Sequence, residues 1–282
     1  MEKGKFRRRI IIFAAVLILL LVLVAMTDAP DSSENLSEVM NDAILHDTNK
    51  ISLFGLIDVN PSFISGICVT VILLVAAALI RVLVIPKFTD VPGKFQMLLE
   101  ALVGFFDGLA KKNSPHKNGF LGAYIFSAGV YIFAGTIFEL FGVQAITTEG
   151  VSISLPAVLS DINAAICLGV LSYLIILSGG IAANGFSGAL NVLKDFSLMI
   201  SMSFRLFGAL ISGVLVTELV YYAIQLSFVL PVLVAVLFTL IHAVVQTYVL
   251  TMLTSFFYGE ATHPKAPKKK RKAKKSREIA DT

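Results

Sequence analysis

The sequence predicts an all-α polytopic membrane protein with five transmembrane helices and a further hydrophobic segment at its N-terminus. Of its 282 residues, 56% are hydrophobic and only 15% are charged. Several apolar runs approach 20 residues, the length of helix that crosses roughly 30 Å of hydrocarbon. The ten-residue alternating segments typical of a membrane β-barrel are absent from the sequence.

The N-terminal segment, residues 1–26, has two interpretations. Residues 1–9 carry five Lys and Arg ahead of the apolar run over residues 10–26. The segment is either an uncleaved sixth span or a signal peptide, and both alternatives leave its basic end in the cytoplasm. Residues 27–61 are acidic and rich in turn formers, with Lys50 as their only basic residue, which is typical of an external loop.

The remaining chain predicts a helical transmembrane domain over residues 62–258. Its expected spans cover residues 62–84, 119–142, 161–177, 196–222 and 231–258. An amphipathic helix over residues 94–111 follows Pro92 and Gly93 and is expected at the membrane interface. Residues 178–194 are expected to form a loop, and the last two helices meet near Ser227. Because both are longer than a perpendicular crossing requires, we expect them to be strongly tilted.

The distribution of positive charge fixes the expected orientation. Of the 23 Lys and Arg, 21 fall in segments predicted to be cytoplasmic; the exceptions are Lys50 and Arg205. This bias predicts a multi-pass protein with its C-terminus in the cytoplasm. The tail, residues 259–282, contains nine Lys and Arg. Taken alone, the tail resembles a basic segment that binds nucleic acid. Its position after a membrane helix favours instead an anchor to anionic lipid in the bilayer.

Arg205 is the candidate functional residue. Between residues 196 and 222 the only ionisable side chains besides tyrosine are Arg205 and Glu218. An arginine in hydrocarbon costs about 3 kcal/mol or more, so it must face a partner or a wet cavity. Small residues share its helical face and would let a helix or a ring of helices approach closely: Ser201, Gly208, Ala209 and Ser212. The alternative is a structural arginine bonded to carbonyls within a bundle.

Motifs for covalent chemistry are absent from the sequence. Cys68 and Cys167 lie in apolar runs without a CxxC or Cys/His companion, so we interpret them as packing residues. Neither a phosphate-binding loop of the GxxxxGK[ST] type nor a GxSxG elbow is present. We therefore expect no metal, no cofactor and no catalytic site in this chain.

Four segments, in order, resemble subunit a of the bacterial F-type rotary ATP synthase. They are VPGKFQMLLEALVGF, SDINAAICLGV, SMSFRLFGALISG and QTYVLTMLTSFFY. The resemblance implies a non-catalytic stator channel in the bacterial inner membrane that works with the c-ring and the peripheral-stalk b subunits. It also implies two half-channels that carry protons to and from the ring, kept apart by Arg205, with Gln246 as a neighbour of that arginine.

Three positions depart from the family pattern. Ala209 replaces a usual Asn, Val214 replaces a carboxylate or histidine, and Thr239 stands where the family often has another polar residue. We therefore expect a different external relay. Glu218 and His242 fall at similar depth if the last two helices pack antiparallel, and together they could pass protons.

Three further polar residues are candidates for the external half-channel: Glu139, Asp161 and Asn163. Asp161 is also a good helix N-cap, and a capping role is the alternative for it.

A different class of protein remains open from the residues alone. A secondary transporter could bind an anionic substrate at Arg205 in the middle of the membrane. Such a transporter is expected to show internal repeats, and we find no convincing repeat in the sequence. The sequence also leaves open whether the transported ion is a proton or sodium.

Overall fold

A computed structural model describes residues 51–53, 57–116, 118–146, 152–222 and 230–264. The predicted segment 1–26, most of the loop over residues 27–61, the connection near Ser227 and the tail after Pro264 lie outside these residues. The described part is mostly helical. Its helices are α1 (Pro61–Leu79), α2 (Lys94–Asn113), α3 (Leu121–Ile137), α4 (Ile162–Lys194), α5 (Ser197–Tyr222) and α6 (Leu230–Thr262).

Five helical stretches of the described residues are long and apolar enough to cross a membrane. They are Pro61–Lys87, Leu121–Phe141, Ile162–Lys194, Ser197–Val216 and Val236–Thr262. Their surfaces expose large apolar side chains, among them Leu74 at 65% and Val82 at 67%. Such a surface suits hydrocarbon rather than water. The predicted fold class is therefore confirmed for this part of the chain.

α1 is bounded by residues whose chemistry suits the two ends of a helix. It begins at Pro61, and the Asn60 side chain accepts a hydrogen bond of 3.2 Å from the backbone N–H of Ser62. This bond satisfies one of the N–H groups that the first turn leaves unpaired. At its far end the helix winds into a π turn over Ile80–Val84 and then a 3-10 turn that contains Pro86. Proline has no N–H to donate and crowds the preceding turn, so regular α-helix stops there.

α2 is the amphipathic helix that the sequence predicts, and it ends two residues later than expected. Its buried residues are Phe106 and Ala110, while most of its other side chains are exposed. Phe106 packs edge-on against Phe126 of α3, with ring centres 5.7 Å apart. Lys111 and Asp107 form an exposed ion pair one turn apart, which contributes little stability in water.

α4 corrects the sequence interpretation, because the predicted loop over residues 178–194 is helical. The chain reverses within it at Gly185, whose φ of 59° and ψ of −144° favour glycine. The Tyr173 hydroxyl donates to the Val192 carbonyl oxygen at 3.1 Å. Nineteen residues of straight helix would hold these two residues about 28 Å apart, so the chain folds back on itself. Glycine at positions 180 and 188 lets the two arms approach closely.

The described residues also contain two short antiparallel hairpins. β1 (Ile51–Leu53) pairs with β2 (Ile57–Val59), and β3 (Gln144–Ile146) pairs with β4 (Ser152–Ser154). The second hairpin lies within the segment between α3 and α4.

α5 and α6 have the great length that the sequence predicts, 26 and 33 residues. At 1.5 Å per residue they are about 39 Å and about 50 Å long, against roughly 30 Å of hydrocarbon. Strong tilt would accommodate the excess, and it stays a prediction.

Contacts divide the chain into two compact units. The first comprises Met1–Phe88, Gly129–Leu168 and Ser201–Val249, and the second comprises Thr89–Ala128, Gly169–Ile200 and Leu250–Thr282. The first unit contains an apolar cluster of Val69, Phe138, Leu155 and Val158. Beside it, the Ser65 hydroxyl donates to the Pro156 carbonyl oxygen at 2.7 Å.

In the second unit, small and hydroxyl-bearing side chains join α6 to the end of α2. The buried hydroxyls of Ser114 and Thr262 bond at 3.1 Å, and the Asn113 amide donates to the Ser255 hydroxyl at 3.1 Å. Gly259 faces the Asn113 carbonyl so closely that a side chain there would overlap it. Close approach through small residues is how helices associate where no hydrophobic effect drives them together.

Candidate functional site

Arg205 lies on the open side of α5. The opposite side of this helix is a buried stripe at intervals of four residues, formed by Met202, Leu206 and Leu210. Arg205 itself is exposed, and its guanidinium forms no ion pair with any side chain that the structure describes. The arginine therefore presents its charge outward.

The neighbours of Arg205 on this face are small, as the sequence predicts. Ser201 and Ser212 are exposed, and Gly208 and Ala209 are half-buried. A side chain at Gly208 would meet nothing within 4 Å. We call Ser201, Arg205, Gly208 and Ser212 the open face of α5. Its shape leaves room for another helix to approach the guanidinium closely.

Gln246 of α6 lies beside Arg205. It is only 4% exposed, and its amide nitrogen donates a hydrogen bond of 2.8 Å to the Arg205 carbonyl oxygen. That carbonyl already belongs to a helix, and it accepts the second bond with its remaining lone pair. The bond joins the backbone of α5 to α6 at the position of the arginine. Gln246 therefore fixes where Arg205 sits and leaves its guanidinium free to face outward.

His242 lies one turn before Gln246 on α6 and faces α5 at Gly213. A methyl group added at Gly213 would lie 3.5 Å from His242 Nδ1. The imidazole is half-buried, and its ring centre is 5.8 Å from that of Phe238. Glu218 follows Gly213 by five residues, about 7.5 Å along the helix. Its backbone belongs to α5, whereas its side chain lies outside the part that the structure describes.

Asp161 and Asn163 act together at the start of α4. The Asp161 carboxylate accepts hydrogen bonds from the Asn163 backbone N–H at 2.8 Å and from the Asn163 amide at 3.1 Å. This geometry is that of a helix N-cap, the alternative role that the sequence offers for Asp161. Glu139 lies elsewhere, half-buried in the 3-10 turn Phe138–Phe141 next to the apolar cluster. Among the described residues no hydrogen bond joins Glu139 to the other two.

A polar cavity of about 430 Å³ lies in the second unit, and the sequence did not indicate it. The charged residues in its lining are Lys194, Asp195 and Glu260. The reversal at Gly185 brings the segment 191–195 to the same cavity as Tyr173 and Ile176. Beside it, the Asn184 amide donates at 3.1 Å to the carbonyl oxygens of Ala261 and His263. Without that reversal, residues 194 and 260 have no evident reason to share a cavity. The one signal in the sequence is a polar residue pair, Lys194 and Asp195, directly before a membrane helix.

Groups that bind metals are sparse in the described residues. No three His, Cys, Asp or Glu side chains there are placed to hold one ion. Cys68 and Cys167 are both free thiols, half-buried and exposed respectively. The feature that distinguishes the described site is thus the exposed positive charge of Arg205.

Comparisons with known proteins identify a family for most of the chain. The family model described as "ATP synthase A chain" matches residues 62–259. Two similar relatives are proteins named "ATP synthase subunit a" from Cereibacter sphaeroides strains ATCC 17025 / ATH 2.4.3 and ATCC 17029 / ATH 2.4.9. Each is 24% identical over 183 residues, which cover 61% of this chain and 70% of the relative. The family match includes all but the first residue of α1, all of α2 to α5 and most of α6.

Proposed function

The chain belongs to the ATP synthase A chain family, a membrane component of the rotary ATP synthase, and we propose that it is the stator channel of that machine. In this role it carries protons through two half-channels to and from the c-ring, and other subunits perform the chemistry of ATP. The observation that carries the proposal is the single guanidinium on the open face of α5.

The open face needs a partner of opposite charge. An arginine that faces hydrocarbon costs about 3 kcal/mol or more, and no described side chain neutralises Arg205. A ring of helices that bears a carboxylate at this depth would supply the missing charge. At about 4 Å and an effective dielectric near 20, such an ion pair is worth about 4 kcal/mol, enough to hold the carboxylate in its ionised form. The small residues around Arg205 let each ring helix reach the guanidinium.

Arginine also suits a barrier between two half-channels. Its guanidinium has donors only and keeps its proton at any physiological pH, so it cannot relay a proton from one side to the other. A ring carboxylate that reaches Arg205 must therefore have released its proton into one half-channel, and it takes up another from the second. Gln246 supports this step by holding the Arg205 backbone against α6.

For the external half-channel we propose the pair Glu218 and His242. His242 is half-buried against α5 close to Gly213, and Glu218 follows on the same helix. An imidazole and a carboxylate a short distance apart exchange protons near neutral pH. Glu139 remains a proposed entrance residue. The hydrogen bonds between Asp161 and Asn163 favour a capping role for these two residues at the start of α4.

The polar cavity of the second unit is our candidate for the cytoplasmic half-channel. It brings two carboxylates, Asp195 and Glu260, together with Lys194 in a space large enough for several water molecules. Water and carboxylates together form a path along which a proton can leave the membrane.

The proposal also covers the orientation of the chain in the membrane and its other protein partners. We propose that the chain lies in the bacterial inner membrane with its C-terminus in the cytoplasm, because Lys and Arg concentrate in the segments assigned to that side. The peripheral-stalk b subunits are proposed as further partners. The apolar side chains exposed on the first span, Pro61–Lys87, such as Leu74 and Val82, require cover from lipid or from such a subunit.

The double variant Glu218→Gln with His242→Ala tests the external relay. We expect ATP-driven acidification of inverted vesicles to fall at least about tenfold, because positioned acid and base groups typically contribute a hundredfold or more to proton transfer. The amount of complex in each membrane is measured by co-purification of the ring. The matched control is Glu100→Gln with His46→Ala, which removes the same two groups at positions outside the proposed relay. Pumping at the parent rate in the first variant, with the complex intact, would show that the relay is wrong.

A further inference from the structure

Two histidines face each other in the second unit, and one of them, His263, also lines the polar cavity. His116 follows the end of α2, and His263 follows the end of α6. Their ring centres are 5.7 Å apart and the ring planes meet at 82°. Both side chains are exposed.

The backbone on each side of this pair is held in place. The hydroxyl of Ser114, two residues before His116, bonds to that of Thr262, one residue before His263, at 3.1 Å, and both residues are buried. The carbonyl oxygen of His263 also accepts a hydrogen bond of 3.1 Å from the Asn184 amide. The two imidazoles are therefore exposed groups on fixed supports, which reduces the entropy lost when both bind one ligand.

We propose that His116 and His263 form a two-histidine site for a divalent transition-metal ion such as Zn²⁺, which would link the ends of α2 and α6. A Zn–N bond is about 2.1 Å long, so each ring centre would lie about 3.2 Å from the metal. Two imidazoles at a tetrahedral angle then have centres about 5.2 Å apart. The observed separation is within about 0.5 Å of this value, a movement that exposed side chains make readily.

The ring of His263 has a backbone partner that can orient it for binding. The Nδ1 atom of His263 lies 3.3 Å from the Pro264 carbonyl oxygen. When Nδ1 donates its proton to this oxygen, the lone pair is on Nε2, the usual arrangement in a metal-binding histidine. Because no three His, Cys, Asp or Glu side chains of the described residues are placed to hold one ion, water would complete the coordination. The site is thus weaker than a structural zinc site with four protein ligands. It does not depend on the proposed channel function.

Carbethoxylation of histidine, followed by mass spectrometry, tests the site in the intact complex in membranes. Zn²⁺ should protect His116 and His263 from diethylpyrocarbonate over the same range of concentration, whereas His46 should react equally with and without the metal. Mg²⁺, which prefers oxygen ligands, should protect neither. The readout follows each imidazole directly and is independent of proton pumping.

The variants His116→Ala and His116→Gln separate a shared site from two independent ones. Loss of a residue that only hydrogen-bonds to a metal ligand typically lowers metal affinity 10–100-fold, and loss of a ligand itself should cost no less. We therefore expect His263 to need at least about tenfold more Zn²⁺ for half protection in both variants. His46→Ala is the matched control and should leave the protection of the pair unchanged. The proposal is overturned if Zn²⁺ protects neither histidine in the parent, or if it protects His263 equally well in both His116 variants.

Discussion

The Arg205→Ala variant should assemble with the ring, and yet its inverted vesicles should acidify no faster with ATP than without it. The reason is electrostatic. The guanidinium is the one cation on the open face of α5, and its removal leaves nothing there to favour the ionised ring carboxylate. Each carboxylate would then keep its proton past the stator, and rotation would no longer be coupled to transfer. Fluorescence quenching of an acridine dye measures the acidification, and co-purification of the ring measures assembly.

Two further variants sharpen this result. Arg81→Ala removes an arginine from the π turn that follows α1 and should leave acidification near the parent rate. Arg205→Lys retains a positive charge but loses the forked donor geometry and binds its proton less firmly, so it should not restore pumping. Parent-level pumping by Arg205→Ala in an intact complex would contradict the proposed role and would favour the transporter alternative.

The second large effect concerns stability. Gly259→Ala should destabilise the protein strongly, because the new methyl group would overlap the backbone carbonyl of Asn113 and lie 2.8 Å from its carbon. Backbone atoms held by the Ser114 and Thr262 bond cannot move aside as a flexible side chain would. Overpacking of this kind typically costs about 1–3 kcal/mol, and more when the structure cannot relax.

The matched control for Gly259→Ala is Gly104→Ala, in exposed helix α2, where an added methyl group meets nothing within 4 Å. Alanine there should stabilise the helix by about 0.5–1 kcal/mol relative to glycine. The two variants should therefore shift the midpoint of thermal unfolding of the purified complex in opposite directions. Equal midpoints would mean that α6 does not pack against residue 113 as the structure has it.

Hydrophobicity and chain breakers made the spans predictable. The expected start of the first span differs from that of α1 by one residue, because Asn60 and Pro61 form a cap and a first turn that can be recognised locally. The amphipathic helix begins at Lys94 as expected, since Gly93 is its N-cap residue and has an extended backbone. Charge asymmetry could suggest the orientation, because it depends only on where Lys and Arg lie in the sequence.

The reversal in α4 was not predictable from local signals. The segment SGGIAANGFSG is rich in small residues, which suggest a loop when taken by themselves. Its helical structure depends on close packing of residues 180 and 188 and on the bond from Tyr173 to Val192, and these are contacts between positions distant in sequence. The polar cavity was missed for the same reason.

The candidate site was predictable only in part. A lone arginine in an apolar run can be recognised as functional from the sequence, because the free energy of placing its guanidinium in hydrocarbon is high. Its small neighbours lie on the same side of the helix, as expected. The place of Gln246 came from the family resemblance, since a polar residue on a long apolar helix does not reveal which backbone carbonyl it bonds. Antiparallel packing placed His242 near α5. It could not identify Gly213 as the contact, because a helix depth counted from a turn is uncertain by about one turn.

The central claim is that the open face of α5 runs against the ring of c subunits. Photoreactive cross-linking tests it most directly, with Ser201→Cys and Ser212→Cys labelled by benzophenone maleimide in a Cys68→Ser, Cys167→Ser background. Met202→Cys, on the buried stripe of the same helix, is the control. We expect both cysteines of the open face to capture the ring subunit and Met202→Cys to give links within the chain alone. Intact complex in which neither open-face position captures the ring subunit would contradict the account.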